Sequence, residues 1–256
     1  MSVTIQTLIE KHPHLKDPFE LYARWQRFHS EVIPLMPNVR SAMEPADSKA
    51  YPREIAESIF QLFATTFDLP LEEFAPLNQA LANAEIDFMR LPLGEIPTLP
   101  ALACTGEELA RVLFLLSRPY FLALHQSFPL DGSEWQGGRC PLCSAQAALA
   151  SVSEGPKRSL HCSFCGTTGS YRFIGCTNCE NTDTSKLNTI VSETENGFRI
   201  TTCDACKTYV KVVDTTVLGK MTLDLADMAS LPLDIVAQSK GYTRMVANPI
   251  SLTKMV

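Results

Sequence analysis

Four Cys-x-x-Cys pairs decide the fold of this 256-residue chain: CPLC at 140–143, CSFC at 162–165, CTNC at 176–179 and CDAC at 203–206. A Cys-x-x-Cys loop can turn both of its thiols toward one point, and two such loops supply the four sulfur ligands of a tetrahedral zinc or iron site. The pairs account for all but one of the cysteines. The sequence therefore predicts two metal sites with eight ligands: Cys140, Cys143, Cys162, Cys165, Cys176, Cys179, Cys203 and Cys206.

The spacing allows two ways of sharing the ions. Eighteen residues separate Cys143 from Cys162, and twenty-three separate Cys179 from Cys203. Consecutive pairing, first pair with second and third with fourth, closes the shorter loops and is the arrangement we expect. An interleaved arrangement, first with third and second with fourth, would use the same eight thiols. The sequence also leaves the identity of the metal undecided, because thiolates bind both iron and zinc.

The N-terminal sequence indicates the redox compartment. It has neither a basic start followed by an apolar block nor a small-residue cleavage site, so we expect a cytoplasmic protein. In that reducing compartment paired cysteines are expected to be metal ligands rather than disulfides, and Cys104 is expected to be a free thiol. The most apolar stretch, 109–124, contains Arg111, Arg118 and Pro119, which favours a buried helix over a membrane span.

The charge of the cysteine-rich region argues against nucleic-acid binding. The chain has a net charge of −6, and seven basic residues between Cys140 and Asp214 are balanced by seven acidic ones. A nucleic-acid-binding module would carry a basic surplus, because neutralising phosphates supplies most of the affinity. No nucleic acid is therefore expected among the partners.

The first half of the chain has the pattern of a helical domain. Apolar residues recur at helical spacing after start signals at Asp17, Pro52 and Thr105, and a weaker helix is expected from about Asn78 to Arg90. Pro119 is expected to kink or stop the last of these helices. The histidines His12, His14, His29 and His125 lack metal-ligand spacing and are expected to serve the core or the surface.

The second half, after a turn-rich boundary at 129–138, alternates cysteine pairs with short segments rich in β-forming residues. A helical region is expected from Met221 to Lys240, interrupted near Pro232 and ended by Gly241. Arg172, Lys207 and Lys211 are expected to offset thiolate charge or to lie on the surface, and contact with a partner is the alternative. The expected strands are 171–174, 187–191, 198–202 and 209–213, and the aromatics expected to cover the metal sites are Phe164, Tyr171, Phe173 and Tyr209.

The ordered series of motifs from Arg139 to Ile250 resembles the FdhE family, the formate dehydrogenase accessory proteins. The series extends the cysteine pairs to LHCSFCG at 160–166, CTNCEN at 176–181 and TCDACKTYVKVVD at 202–214, followed by LADMASLPLDIVAQSKGYTR at 225–244 and NPI at 248–250. Two features depart from the family. The glycine common after each cysteine pair occurs only as Gly166, with Ser144, Glu180 and Lys207 at the other three places, and Gly169 stands where a tryptophan is common.

The resemblance implies an α+β fold with a helical N-terminal domain at 1–130. Two small rubredoxin-like four-cysteine metal-binding modules with short antiparallel strands follow, at 139–174 and 175–256. The second module includes a C-terminal helical segment. It implies a cytoplasmic accessory protein that is not an enzyme, that binds iron or zinc through the eight paired cysteines, and that contacts the immature catalytic subunit of a formate dehydrogenase. It does not imply membrane insertion.

Other functions are compatible with the same cysteines. A rubredoxin-like electron carrier would need iron as the native metal. A zinc-ribbon nucleic-acid-binding protein would need the basic surplus that this chain lacks. A purely structural interaction protein would differ from the accessory protein only in its partner.

Overall fold

The computed structural model describes residues 3–36, 49–147, 149–153, 157–191, 196–219, 221–250 and 252. The chain divides into two compact units. We call Leu21–Pro129 the helical unit, and the residues up to Glu20 together with those from Leu130 onward the sheet unit. The division of the chain into domains at 1–130, 139–174 and 175–256 remains a prediction.

The helices expected before residue 130 are present and begin within a few residues of their expected starts. At Thr105 the side chain accepts a hydrogen bond from the Glu108 amide, and the Glu108 carboxylate accepts one from the Thr105 amide at 2.7 Å. This capping box satisfies amides that the first helical turn leaves unpaired. The described helices are α1 (Ile5–Lys11), α2 (Lys16–Val32), α3 (Arg53–Phe67), α4 (Ala75–Ala82) and α5 (Gly106–Ser127), with 3-10 turns at Pro13–Leu15, Ile33–Leu35 and Phe88–Leu93.

The helix expected from Asn78 to Arg90 is two elements. The α-helix α4 ends at Ala82, and Ala84 adopts a positive φ of 56°. The Asp87 side chain then accepts a hydrogen bond from the Met89 amide and starts the 3-10 turn Phe88–Leu93. A residue with positive φ and a new N-cap both end regular helix, which explains the break.

Helix α5 continues through Pro119, so of the two expected outcomes, a kink or a stop, the stop does not occur. A proline inside a helix has no amide proton, which leaves the carbonyl four residues earlier without its usual donor. That carbonyl belongs to Leu115, and it accepts a hydrogen bond from the Trp25 indole Nε1 at 3.1 Å. The Tyr51 hydroxyl donates to the next carbonyl, that of Leu116, at 2.5 Å. Side chains of the helical unit thus satisfy the backbone that Pro119 disturbs.

The described strands of the sheet unit form one seven-stranded sheet in the order β3-β2-β1-β6-β5-β4, with β7 paired to β6. The pairs β1–β2, β2–β3, β4–β5 and β5–β6 are antiparallel, whereas β1–β6 and β6–β7 are parallel. Two antiparallel three-stranded halves are therefore joined by one parallel pairing. The strands are β1 (Leu149–Val152), β2 (Arg158–His161), β3 (Thr168–Tyr171), β4 (Leu187–Val191), β5 (Phe198–Cys203), β6 (Thr208–Asp214) and β7 (Thr243–Arg244).

The strand predictions for the second of these halves are confirmed, since 187–191, 198–202 and 209–213 fall within β4, β5 and β6. In the first half, β1 and β2 were not predicted, and the predicted strand at 171–174 is wrong except for Tyr171, the last residue of β3. The reason is local: the carbonyl of Thr167 accepts from the Cys162 amide and closes the second cysteine loop, so the strand begins at once, at Thr168.

The C-terminal helical region consists of α6 (Thr215–Leu218), α7 (Leu223–Ala229) and α8 (Leu231–Ser239). Ser230 separates α7 from α8, and Pro232 lies in the first turn of α8, where its missing amide proton costs no hydrogen bond. Gly241 follows the helix with φ 84°, as expected for a residue after a helix C-cap.

A buried network of charges ties α7 and α8 to strand β6. The Lys211 ammonium contacts Asp234 at 2.7 Å and also pairs with Asp227, and Arg244 contacts Asp227 at 2.6 Å and Asp234 at 2.9 Å. All four side chains are buried. The expectation that Lys211 lies at the surface or offsets thiolate charge is wrong, because strand alternation points it toward the helices. Two cations and two carboxylates neutralise one another there.

Candidate metal centres

The four Cys-x-x-Cys pairs share one local geometry. In each pair the amide of the residue that follows the second cysteine donates to the carbonyl of the first cysteine, at 2.8–3.2 Å. The residue after each pair also has a positive φ, which turns the chain back over the loop. The φ values are 63° at Ser144, 80° at Gly166, 58° at Glu180 and 55° at Lys207.

The turns bring the eight cysteines together in two groups of four, in the consecutive pairing that the loop lengths favour. Within each group the thiol sulfurs all lie within 4.8 Å of one another. The first group is Cys140, Cys143, Cys162 and Cys165, and the second is Cys176, Cys179, Cys203 and Cys206.

The sulfur–sulfur distances suit a tetrahedral ion. Cys140 lies 3.4 Å from Cys165 in the first group, and Cys176 lies 3.6 Å from Cys206 in the second. Four thiolates at ~2.3 Å from one ion would be about 3.8 Å apart, whereas disulfide sulfurs are about 2.05 Å apart. The arrangement therefore supports two ions, each bound by four cysteines, and all of these cysteines are free thiols.

The two groups occupy equivalent places in the two halves of the sheet. In each half, one cysteine pair precedes the first strand and the other pair joins the second strand to the third. The halves also meet close to the thiols: a Cβ atom on Gly138 would lie 1.9 Å from the Thr177 carbonyl oxygen, and the Tyr171 hydroxyl donates to the Cys176 carbonyl at 3.0 Å. Only glycine permits the first of these approaches.

A threonine hydroxyl contacts the last thiol of each group, which the sequence reasoning missed. The Thr167 hydroxyl lies 3.0 Å from the Cys165 sulfur, and the Thr208 hydroxyl lies 3.0 Å from the Cys206 sulfur. The available signal was a threonine two residues after the last cysteine in both halves. Burial acts to raise the pKa of Cys206, but the Thr208 hydroxyl and neighbouring groups outweigh it and lower this pKa to about 6.

The electrostatics of the first group favour a bound cation. Hydrogen bonds from the other thiols lower the pKa of Cys140, while burial raises the pKa values of Cys143 and Cys162. Four clustered thiols cannot all ionise beside one another, so a divalent cation is the group that fits the donors. Bound zinc would cross-link the loops, and bound iron would in addition cycle between two oxidation states.

The two groups differ in their exposure to solvent. All four cysteines of the first group are buried, with at most 4% of any residue's surface exposed. In the second group Cys176 and Cys203 are buried, Cys206 is partly exposed and Cys179 is exposed. One edge of the second site is therefore open to solvent.

The other residues that could bind a metal, the histidines and Cys104, lie outside both four-cysteine groups in the described part of the chain. In the described part of the chain, neither group includes a histidine or a carboxylate. Both ring nitrogens of His161, the neighbour of Cys162, are within hydrogen-bond distance of hydroxyls, Thr168 at 2.9 Å and Ser151 at 2.7 Å. Cys104 is a free, partly buried thiol, as expected.

Three of the four aromatic residues expected to cover the metal sites are buried. Phe164, Tyr171 and Tyr209 are buried, but Phe173 is 48% exposed, so its expected role in covering a site is wrong. Gly169 is also explained: a Cβ atom there would lie 2.3 Å from the Trp135 ring, so this indole fills the space that a side chain at 169 would need.

Fold and sites together define a class of protein, an α+β metal-binding protein in which a duplicated four-cysteine unit accompanies a helical unit. Residues 174–251 match the family described as FdhE, C-terminal domain. The structure also matches the crystal structure of the FdhE protein from Pseudomonas aeruginosa, with a TM-score of 0.66 and 20% identity. The match covers 96% of this chain and 92% of the Pseudomonas chain. At that identity the match shows a common fold.

Relatives with the same name extend the similarity. The FdhE homolog of Aquifex aeolicus is 28% identical over 141 residues, 53% of this chain and 50% of the relative. The FdhE homolog of Shewanella oneidensis is 24% identical over 295 aligned positions, which cover 88% of this chain and 97% of the relative. The FdhE homolog of Proteus mirabilis is 32% identical over 43% of this chain and 37% of the relative. The chain thus spans about half of the Aquifex relative and nearly all of the Shewanella relative. The chain is thus similar to FdhE proteins in sequence and in fold.

None of the helices in the described ranges combines the length and the apolar character that crossing a bilayer requires.

Proposed function

We propose that this protein is a cytoplasmic accessory factor for the maturation of a formate dehydrogenase, and that it is not itself an enzyme. It would bind the immature catalytic subunit and carry an iron or zinc ion at each four-cysteine site. The proposal draws its partner from the resemblance to the formate dehydrogenase accessory proteins. Its main support in the molecule is the pair of four-cysteine groups held within one sheet unit.

The eight paired cysteines would be the metal ligands, with different tasks at the two sites. A closed tetrathiolate site usually serves folding, because it has no free coordination position. The buried first site suits that task. The second site has Cys179 at the surface, where a partner protein could contact its edge.

The test is capture of the catalytic subunit during anaerobic co-expression in the native host. A tagged wild-type protein is expected to retain the molybdenum- or tungsten-dependent subunit, and replacing both Cys176 and Cys179 by serine is expected to reduce this capture. Cys104→Ser is the matched control, because Cys104 is a free thiol outside both groups. Absence of the subunit from the wild-type eluate would contradict the proposal.

A rubredoxin-like electron carrier is the second candidate, favoured by the exposed edge of the second site. Electron transfer would need iron there, with a potential set by hydrogen bonds to sulfur such as that of Thr208. Zinc as the sole metal in protein purified anaerobically from its native host would eliminate this function.

A further inference from the structure

A cleft of about 260 Å³ opens on the face of the sheet opposite to α7 and α8. Strand alternation explains its position, because Val212 lines the cleft whereas Lys211 points to the helices. We call it the Arg158 cleft. The lining residues that matter here are Arg158, Phe173, Ile174, Thr189, Arg199 and Thr201.

Arg158 is a buried cation whose hydrogen-bonding capacity is largely unused. Its side chain belongs to a residue that is 6% exposed, and its Nη1 donates to the Gly175 carbonyl at 3.0 Å. The Nε and Nη2 atoms are buried without a hydrogen-bond partner. A buried polar group left unpaired destabilises a fold, so two such donors on one guanidinium indicate a missing acceptor.

The two unpaired atoms identify the acceptor. Nε and Nη2 form one edge of the guanidinium, which can donate two parallel hydrogen bonds to an oxyanion. The second arginine of the cleft, Arg199, is already paired with Asp214 at 2.9 Å, and the described lining residues include no acidic side chain. The planar pair of oxygens in a carboxylate matches the two parallel donors of this edge.

The rim of the cleft indicates where the carboxylate comes from. Phe173 and Ile174 are 48% and 53% exposed, and both line the cleft. Sites for small molecules usually enclose most of their ligand, whereas exposed apolar side chains around an open cleft are typical of protein docking surfaces. A polypeptide can offer a carboxylate and an apolar side chain together.

We propose that the Arg158 cleft is a docking site for a partner polypeptide, which places an aspartate or glutamate carboxylate on Arg158 and a neighbouring apolar side chain against Phe173 and Ile174. The cleft adjoins the second cysteine group, because Arg158 also lines a smaller cavity with Cys176 and Cys203, so zinc content is measured in every variant. The docking site does not depend on the partner being a formate dehydrogenase, so it can be tested even if that function is refuted.

The test uses the full-length zinc-loaded protein and two peptides of equal size, acetyl-Leu-Glu-amide and acetyl-Leu-Gln-amide. We expect the glutamate peptide to shift the Arg158 Nε–H resonance in a saturable way and the glutamine peptide to leave it in place. Arg158→Lys, which keeps the charge but loses the two-point edge, is expected to weaken binding at least about tenfold. Arg199→Lys, the same change at the other arginine of the cleft, keeps the charge beside Asp214 and is the matched control, expected to change binding less than about twofold.

Three results would overturn the proposal. The first is the absence of a saturable shift at millimolar glutamate peptide, and the second is an equal response to both peptides. The third is binding of isovalerate as tight as that of the glutamate peptide, which would make the site one for free carboxylates. The peptide comparison uses wild-type protein alone, so it decides the matter even if the Arg158 variants do not fold. Far-UV circular dichroism and zinc content check the variants.

Discussion

Three of the four residues that close the cysteine loops carry side chains in a backbone conformation that favours glycine. Ser144, Glu180 and Lys207 have φ values of 63°, 58° and 55°, and only Gly166 is free of steric cost. A left-handed conformation costs an L-residue about 1–2 kcal/mol. The hydrogen bonds of the loops and the convergence of the thiols hold these residues in place.

Ser144→Gly is therefore expected to stabilise the protein. The glycine relieves the strain at φ 63° but loses more chain entropy on folding, so the expected net gain is about 0.5–1 kcal/mol in the free energy of unfolding. Urea denaturation with saturating zinc measures it. The same change at Ser239, an exposed residue at the end of α8, is the control and should destabilise the protein. A loss of stability at both positions would contradict the strain argument.

His29 gives the helical unit a predictable dependence on pH. Burial, and after it the charge of Arg118, lowers the pKa of His29 to about 2, while the unfolded chain keeps the ordinary value of 6.5. The unfolded state therefore binds the proton first, and stability falls as the pH drops below 6.5. Between pH 6.5 and 4.5 the expected loss is about 2–3 kcal/mol.

The measurement is urea unfolding followed by Trp25 fluorescence in a Trp135→Phe background. Trp25 lies in the same unit as His29, with ring centroids 4.2 Å apart, whereas Trp135 belongs to the sheet unit. His29→Gln is expected to lose most of the acid sensitivity. Parallel pH curves for the parent and the His29 variant would refute the assignment.

The sequence predicts single residues well where the chemistry is local and poorly where burial decides. The spacing favours consecutive over interleaved pairing of the eight cysteines, and the structure brings them together in the consecutive groups. Lys211 could not be predicted, because its partners Asp227 and Asp234 come from helices that only the folded chain brings over β6. The free donors of Arg158 likewise become visible only when its surroundings are known.

Helix α5 illustrates how a tertiary contact overrides a local rule. A proline at 119 predicts a kink or the end of the helix, but the helix runs on to Ser127 because the Leu115 carbonyl accepts a hydrogen bond from the Trp25 indole. The same limitation applies to the sheet. The parallel pairing of β1 with β6 joins segments some sixty residues apart, and no local pattern in the short strand LASV at 149–152 announces it.

The link between Trp25 and Pro119 can be measured by a double-mutant cycle. Trp25→Phe leaves the Leu115 carbonyl unpaired in the wild type and is expected to cost about 1–3 kcal/mol. In a Pro119→Ala background the alanine amide can take over that carbonyl, so the cost should fall by about 1 kcal/mol. Trp135→Phe in the sheet unit is the control and should show no coupling to Pro119. Additive effects of Trp25→Phe and Pro119→Ala would contradict the account.

The unequal exposure of the two sites predicts unequal release of metal. A chelator can reach the second site through Cys179, whereas the buried first site must open before it is attacked. With zinc-loaded protein and a coloured chelator, we expect one equivalent to leave at least about tenfold faster than the other. Cys179→Ser should remove the fast equivalent and spare the slow one. Release of both equivalents at one rate would show that exposure does not control the exchange.

The sheet unit as a whole is a duplicated structure whose halves are joined at one strand pairing and one close backbone approach. Each half has the same order of cysteine pairs and strands, and β1–β6 pairing and the Gly138–Thr177 approach join them. Three short strands bury little apolar surface, so bound metal is expected to supply much of the folding free energy. A ninth cysteine, Cys104, lies in the helical unit outside both groups, so its replacement by serine is a control for the loss of a cysteine that is not a metal ligand.

The central claim, two ions each held by four cysteines, is tested most directly by native mass spectrometry of anaerobically purified protein. The wild type and Cys104→Ser are expected to carry two ions, and the pair change Cys140→Ser with Cys143→Ser is expected to leave one, at the second site. Two ions retained in that double variant, or a wild-type mass that shows disulfides in place of metal, would contradict the claim.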